Sequence, residues 1–183
     1  MANVGVSSYH QALQGDRSAL ESLIRTYSDP LVRFAYSYLR DASAAEEVVE
    51  ESIATLFVKP RDIWDEAHLR SYLYKIVRSR CADQLRHHRR NLPLSEVEQV
   101  LSCCDLEKDV LRRERDRIIF TAMQILPRAY REVLMLIYFE GLTNAQICQV
   151  MKKKPKQVYN LHARAKTALK TLLEKEGISD EDL

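Results

Sequence analysis

Apolar residues recur at spacings of three and four along nearly the whole chain, and no stretch alternates with the period of two expected of a half-buried strand. Ala19, Leu20, Leu23, Ile24 and Tyr27 form the first helical stripe. Asp29 before Pro30 predicts a new helix start, with an acceptor at the N-cap and a preset φ behind it. Leu31, Phe34, Ala35, Tyr38 and Leu39 carry that helix on. Ser43 and Glu46 predict a capping box ahead of Val48, Val49, Ile53, Leu56 and Phe57, and Pro60 stops the helix. Residues 60–65 read as a loop holding the sole Trp, Trp64. A long helix follows over 66–90.

Residues 91–106 contain Pro93, Ser95 and Ser102 and lack a sustained apolar stripe, which predicts a linker with a short helix around 96–101. Helical spacing resumes near 105 and runs to 126. Pro127 opens the next helix, with Val133, Leu134, Ile137 and Tyr138 on its apolar face and Gly141 as its C-terminal stop. Thr143 and Gln146 form a second capping box, opening a short helix through Met151. The last helix spans 155–175, and the acidic tail 179–183 is expected to fray. The prediction is an all-α fold of two small helical domains, 1–90 and 107–183, joined by a linker over 91–106. The C-terminal domain is expected to be a helix-turn-helix.

Composition narrows the function classes. Four glycines in 183 residues argue against a Gly-rich phosphate loop. No apolar run reaches the ~18 residues of a membrane span, and nothing near the N-terminus reads as a secretion signal. The four cysteines, Cys81, Cys103, Cys104 and Cys148, lack metal-binding spacing, and a reducing cytoplasmic location is the simplest expectation. Neither His87–His88 nor Cys103–Cys104 makes a two-tooth metal ligand, because helical neighbours point ~100° apart. No cofactor or metal is expected.

The net charge of +2 conceals an uneven layout. Residues 66–90 hold seven cations against two carboxylates, and 152–175 hold eight against one, in an otherwise acidic chain. Two basic segments suggest two contacts with a polyanion; solvated helix faces are the plainer reading. On the long helix, Leu69, Tyr72, Leu73, Ile76 and Val77 are expected to face a core. Ser71, Lys75, Arg78, Ser79, Ala82 and Arg86 share a sector opposite. That stripe mixes cations for phosphates with small residues that admit a close backbone or base. Aromatic rings can stack on unpaired bases. Spacing favours the core for Tyr72 and leaves both roles open for Tyr74 and Trp64.

On the last helix, Val158, Leu161, His162, Ala165, Leu169 and Leu172 are expected to point inward. Lys156, Asn160, Ala163, Arg164 and Thr167 point outward from the N-terminal end, as on a helix that reads base edges in a major groove. A plain αα-hairpin would show a similar length pattern. Glu46, Glu47, Glu50 and Glu51 crowd one helix. No Glu-x-x-His partner accompanies them, so a solvated face or a basic protein surface is expected there.

Three stretches carry a family resemblance. They are Ala45-Glu46-Glu47-Val48-Val49-Glu50-Glu51; then Leu69-Arg70-Ser71-Tyr72-Leu73-Tyr74-Lys75-Ile76-Val77-Arg78 with Asp83-Gln84-Leu85-Arg86; and Leu126-Pro127-Arg128-Ala129-Tyr130-Arg131-Glu132-Val133-Leu134 with Tyr138-Phe139-Glu140-Gly141-Leu142-Thr143. In order and spacing the chain resembles the two-domain extracytoplasmic-function sigma factors of bacterial RNA polymerase. The resemblance implies a non-enzymatic promoter-specificity subunit whose partners are core polymerase, promoter DNA and, in many members, an anti-sigma factor. By position it places Glu46, Glu47, Glu50 and Glu51 at the polymerase clamp. Trp64 to His68 fall in the loop that receives a flipped-out −10 base. Lys75, Arg78, Ser79 and Arg86 fall on the helix holding the opened strand, and Lys156, Gln157, Asn160 and Arg164 on the −35 recognition helix. Glu50 stands where the family usually has Gln, and Ser79 where it has Asn. Lys152-Lys153-Lys154 replaces the usual capped, glycine-containing turn. The rival readings are a stand-alone helix-turn-helix regulator, which would need neither the acidic helix nor the N-terminal basic stripe, and a helical interaction protein with acidic partners.

Overall fold

The computed structural model describes residues 4–91 and 114–175, with side chains from 5–87 and 116–175. The linker over 91–106, its short helix, the helical start at 105 and the acidic tail lie essentially outside the described residues, as do Cys103 and Cys104. The chain divides into two compact units, Met1–Cys103 and Cys104–Leu183, and all described regular structure is helical.

The first unit contains α1 (Val4–Leu13), α2 (Arg17–Leu39), α3 (Ala42–Val58) and α4 (Glu66–Asn91). Leu23, Leu31, Phe34, Leu56, Leu69, Leu73, Tyr74, Val77 and Cys81 form its core. Phe34 meets both Tyr38 and Tyr74 edge-on, each with ring centroids 5.2 Å apart. Sequence periodicity predicted no α1. Its apolar positions are few, but Tyr9 is fully buried against α3, where its ring lies 6.1 Å from Phe57.

Two predicted helix starts are corrected. Pro30 lies inside α2, which begins instead at Asp16, whose carboxylate accepts from the Ser18 and Ala19 N–H groups. Those bonds, that to Ala19 foremost, hold the Asp16 carboxyl below its usual range. An interior proline costs a helix ~3 kcal/mol. Here one buried face, Leu23–Tyr27–Leu31–Phe34, continues across it, and tertiary packing outweighs the local penalty. Ile24, expected on that face, is 40% exposed. Likewise α3 is capped by Asp41, which accepts from Ala44 N–H at 3.0 Å, rather than by Ser43 with Glu46. The preceding Arg40 is left-handed (φ 56°), so α2 and α3 join in two residues and α3 starts earlier than the capping-box pattern implied.

α4 is also turned relative to expectation. Tyr74, Cys81 and Ser71 are buried, whereas Tyr72 and Ile76 are only half-buried. The helix is clasped by α2 and α3, so its inward arc centres on Leu73, Val77 and Tyr74 rather than on the flank with most hydrophobes. Ser71, assigned to the outer stripe, donates its hydroxyl to the Ala67 carbonyl at 2.7 Å inside the unit.

The second unit contains α5 (Glu114–Ile125), α6 (Arg128–Leu134) continuing into a π-helical turn (Met135–Phe139), α7 (Asn144–Met151) and α8 (Pro155–Lys175). Pro127 precedes α6 as predicted, and Arg131 donates to the Gln124 carbonyl at 2.7 Å, tying α6 to the end of α5. The π turn, closed by Glu140 N–H on the Met135 carbonyl at 3.0 Å, shifts the apolar face. Leu134, Met135 and Leu136 are all buried in succession, while Tyr138, expected inward, is 54% exposed and Ile137 is half-buried. Gly141 (φ 58°) ends the segment, and Thr143 with Gln146 forms the predicted capping box.

Candidate nucleic-acid and polymerase interfaces

α3 sorts its residues cleanly. Ala45, Val48, Val49, Ser52, Ile53 and Leu56 are buried; Glu46, Glu47, Glu50 and Glu51 are exposed on the opposite arc. They are not equivalent. Glu51 sits at the edge of the arc, paired with Arg80 of α4, whose other guanidinium nitrogen donates to Thr55 Oγ1 at 2.9 Å. Glu46, Glu47 and Glu50 lie on the solvent-facing side of the arc.

Trp64 is 71% exposed in the loop 59–65, and its ring stacks on His68 at a centroid distance of 3.9 Å and an angle of 34°. His68 lies on the first turn of α4 rather than in the loop; its N–H is held by the Asp65 carboxylate at 2.6 Å. Lys75, Ser79 and Arg86 are exposed on the next turns of one α4 face, and Arg78 is half-buried at its edge. Arg86 pairs with Asp83 one turn away, so part of its charge is internally matched. Loop, stacked ring and cationic face are consecutive in the chain and together suit an unpaired strand.

Beneath them Glu66 joins three helices. One carboxylate oxygen accepts from Val6 N–H of α1 at 3.0 Å and the other from the Tyr27 hydroxyl of α2. Burial, reinforced by the hydrogen bond to Glu66, pushes the Tyr27 phenol far above its usual value. A Cβ at Gly5 would press on the Tyr27 hydroxyl and lie 2.7 Å from Glu66 Oε1, so a side chain here would push both of those groups aside.

In the second unit α7 and α8 are joined by Lys152-Lys153-Lys154. Lys152 adopts the left-handed conformation (φ 52°) that glycine usually takes, and Lys153 N–H closes on the Cys148 carbonyl at 3.1 Å. Lys154 offers no capping side chain. Gln157 supplies the other half of a capping box, its Oε1 accepting from Lys154 N–H at 2.9 Å. Lys156, Asn160, Ala163, Arg164 and Thr167 are all exposed, as predicted, and so is Gln157. Of the expected inner face, Val158 and Ala165 are buried; Leu161, His162, Leu169 and Leu172 are half-buried, and Leu173 takes the inmost place at the C-terminal end. His162 lies 3.2 Å from Tyr138 Oη, and burial together with Lys166 lowers its pKa. Tyr159, one turn before Ala163 on the same helix, is 71% exposed. Among the described residues no three His, Cys, Asp or Glu side chains converge as a metal site, and no helix is long and apolar enough to cross a membrane.

Two family models match this arrangement: Sigma-70 region 2 over residues 23–91, which ends with α4, and Sigma-70 region 4 over residues 116–169, which includes the helix-turn-helix. SigV of Bacillus subtilis is 23% identical over 166 residues, spanning 91% of this chain and 98% of its own. The sigma-H factor of Pseudomonas aeruginosa is 24% identical, covering 88% of this chain and 89% of its own. A probable sigma factor of Xanthomonas campestris, RfaY, is 24% identical, but the match spans 42% of its length. Among solved structures, CnrH in complex with the cytosolic domain of CnrY has a TM-score of 0.67 at 18% identity, covering 94% of this chain and 98% of that one. RpoE of Bartonella quintana, solved with the anti-sigma factor NepR, has a TM-score of 0.63 at 19% identity, covering 84% and 96%. The chain belongs to the sigma-70 family, as an RNA polymerase sigma factor of the extracytoplasmic-function type that directs promoter-specific initiation.

Proposed function

We propose that the work of initiation is divided between the two units. The first, over 1–90, docks on core polymerase through Glu46, Glu47 and Glu50 and opens the −10 element. In this reading Trp64, stacked on His68, receives an extruded base, and Lys75, Ser79, Arg78 and Arg86 hold the backbone of the opened strand. The second unit, over 107–183, reads the −35 duplex with Lys156, Gln157, Asn160 and Arg164 of α8. Residues 91–106 serve as the linker. Bond formation belongs to the polymerase, and the chain contributes binding rather than catalysis. It acts in the cytoplasm beside its polymerase, and an anti-sigma protein is a fitting regulator.

The observation that carries this reading is the exposed Trp64–His68 stack at the head of the cationic α4 face. An indole left 71% exposed offers most of its surface to a partner, and base stacking is worth about 1–3 kcal/mol per base. The test mixes the protein with core polymerase and a promoter library randomised at both elements, then sequences the transcripts. New start sites sharing an upstream pair of motifs are expected. Output without a shared −10 motif, or a −10 motif that survives Trp64→Ala unchanged, refutes the assignment of the loop.

A further inference from the structure

The loop carrying Trp64 is held by a helix outside the family match, which begins at residue 23. Tyr9 of α1 donates its hydroxyl to the Arg61 carbonyl at 3.0 Å and accepts from the Arg61 N–H at 3.1 Å. His10 Nε2 lies 2.8 Å from the Ile63 carbonyl. A carbonyl only accepts, so Nε2 carries the proton and donates. Tyr9 is fully buried, and so is Ile63, the residue before Trp64. These three hydrogen bonds fix the backbone at both Arg61 and Ile63 of the loop 59–65. α1 is in turn anchored from the far side by Val6 N–H on Glu66 at the start of α4. The helix therefore grips the loop and the first turn of α4 together, the two segments that bring the Trp64 and His68 rings into register.

We propose that Tyr9 and His10 are positioning residues for −10 base selection: through Arg61 and Ile63 they fix where the Trp64 ring stands, and so the geometry in which an extruded base is accepted. This rests on the loop being the −10 reader. Base discrimination by stacking and edge contacts depends on placement, since a donor or ring displaced by about 1 Å loses most of its selectivity. In this proposal α1 acts through the loop.

The sole Trp of the chain is the probe. In the full-length protein, Tyr9→Phe removes both bonds to Arg61 and keeps the ring; His10→Ala removes the bond to Ile63 at an exposed position; His10→Gln keeps a donor. Fluorescence anisotropy of Trp64 is measured in the free protein. The −10 and −35 preferences are measured with core polymerase on the randomised promoter library, with Trp64→Ala as a transcription control. Tyr9→Phe and His10→Ala should lower the Trp64 anisotropy. Each should reduce −10 discrimination about fivefold or more, the ratio equivalent to one ordinary hydrogen bond. His10→Gln should recover most of both signals, and −35 preference should not move. Output that falls equally on all −10 sequences would mean a purely structural role and overturn the proposal. Unchanged anisotropy would overturn it at its first step. A loosened Trp64 with wild-type −10 preference, while Trp64→Ala changes that preference, would overturn the positioning role and leave the loop as reader. If Trp64→Ala also leaves the −10 preference intact, the loop assignment itself fails and takes this role with it.

Discussion

Charge reversal on α3 separates docking from folding because the four carboxylates have different neighbours. Glu47 is exposed and one turn from Glu51, a like-charge pair that costs about 0.2–0.5 kcal/mol. Glu47→Lys relieves that repulsion, so the free protein should be unchanged or slightly stabilised. Glu51→Lys differs. It removes the pair with Arg80, whose side chains are 35% and 54% exposed, and such a pair is worth about 0.2–1 kcal/mol. It also sets an ammonium against the Arg80 guanidinium. At ~5 Å and an effective dielectric between 20 and 80, that repulsion is about 1–3 kcal/mol before the side chains swing apart. Swinging outward toward water recovers much of it, leaving a net loss of about 1–2 kcal/mol, or roughly 5–10 °C in the midpoint of a domain this size. Trp64 lies in the first unit and is the only Trp, so its fluorescence during a urea titration of the full chain follows that unit alone. Glu47→Lys should bind core polymerase more weakly, since flipping one sign in a complementary interface costs several kcal/mol, whereas Glu51→Lys, at a carboxylate already held by Arg80, should change binding less than it changes stability. Equal urea midpoints for the two variants would refute the Arg80 argument. Wild-type affinity of Glu47→Lys at moderate salt would refute the docking face.

Three further outcomes are expected. Gly5→Ala gains up to ~1 kcal/mol of helix propensity but drives a methyl into the Glu66 carboxylate and Tyr27 hydroxyl, for a net loss of about 1–2 kcal/mol; urea unfolding checks this, and the loss should shrink in a Tyr27→Phe background. Because the folded state raises the Tyr27 pKa, the phenol stays protonated after its unfolded counterpart ionises, so its stabilisation is full below pH 10 and lost above it. The stability advantage of wild type over Tyr27→Phe should therefore fall by about 1.4 kcal/mol per pH unit above 10, and a constant gap between pH 8 and 11 would contradict this. Lys75→Ala should weaken promoter opening on all sequences and flatten the salt slope by about 0.7–0.9, whereas Arg164→Ala should relax one or two −35 positions at about 1–3 kcal/mol each; permanganate reactivity and the randomised library separate them.

Local rules carried much of this protein into view. Helical spacing, the Thr143–Gln146 box, Pro127 and Gly141 bound their helices through bonds made within a few residues, so sequence alone reveals them. The outward set on α8 was equally legible, because a helix with one apolar stripe against a single unit leaves its polar face to solvent. What stayed hidden depended on partners distant in sequence. Pro30 continues a helix because Leu23 to Phe34 pack as one face against other helices, a gain no local propensity records. α4 turns Tyr74 fully inward and leaves Tyr72 half-buried because two helices clasp it, and the count of hydrophobes on each flank does not say where those helices lie. The π turn moves Tyr138 from core to surface by a single extra residue in the ladder. Glu51 reads as one of four equal carboxylates until Arg80, 29 residues away, is brought against it. α1 carries too few apolar positions to declare itself, yet Tyr9 and His10 reach across more than fifty residues to hold the loop of Trp64. Composition and spacing thus marked the residues we propose for the two interfaces. Tertiary packing decided which of them stand free to meet a partner and which are already held, because only the assembled unit brings distant donors and acceptors within bonding distance.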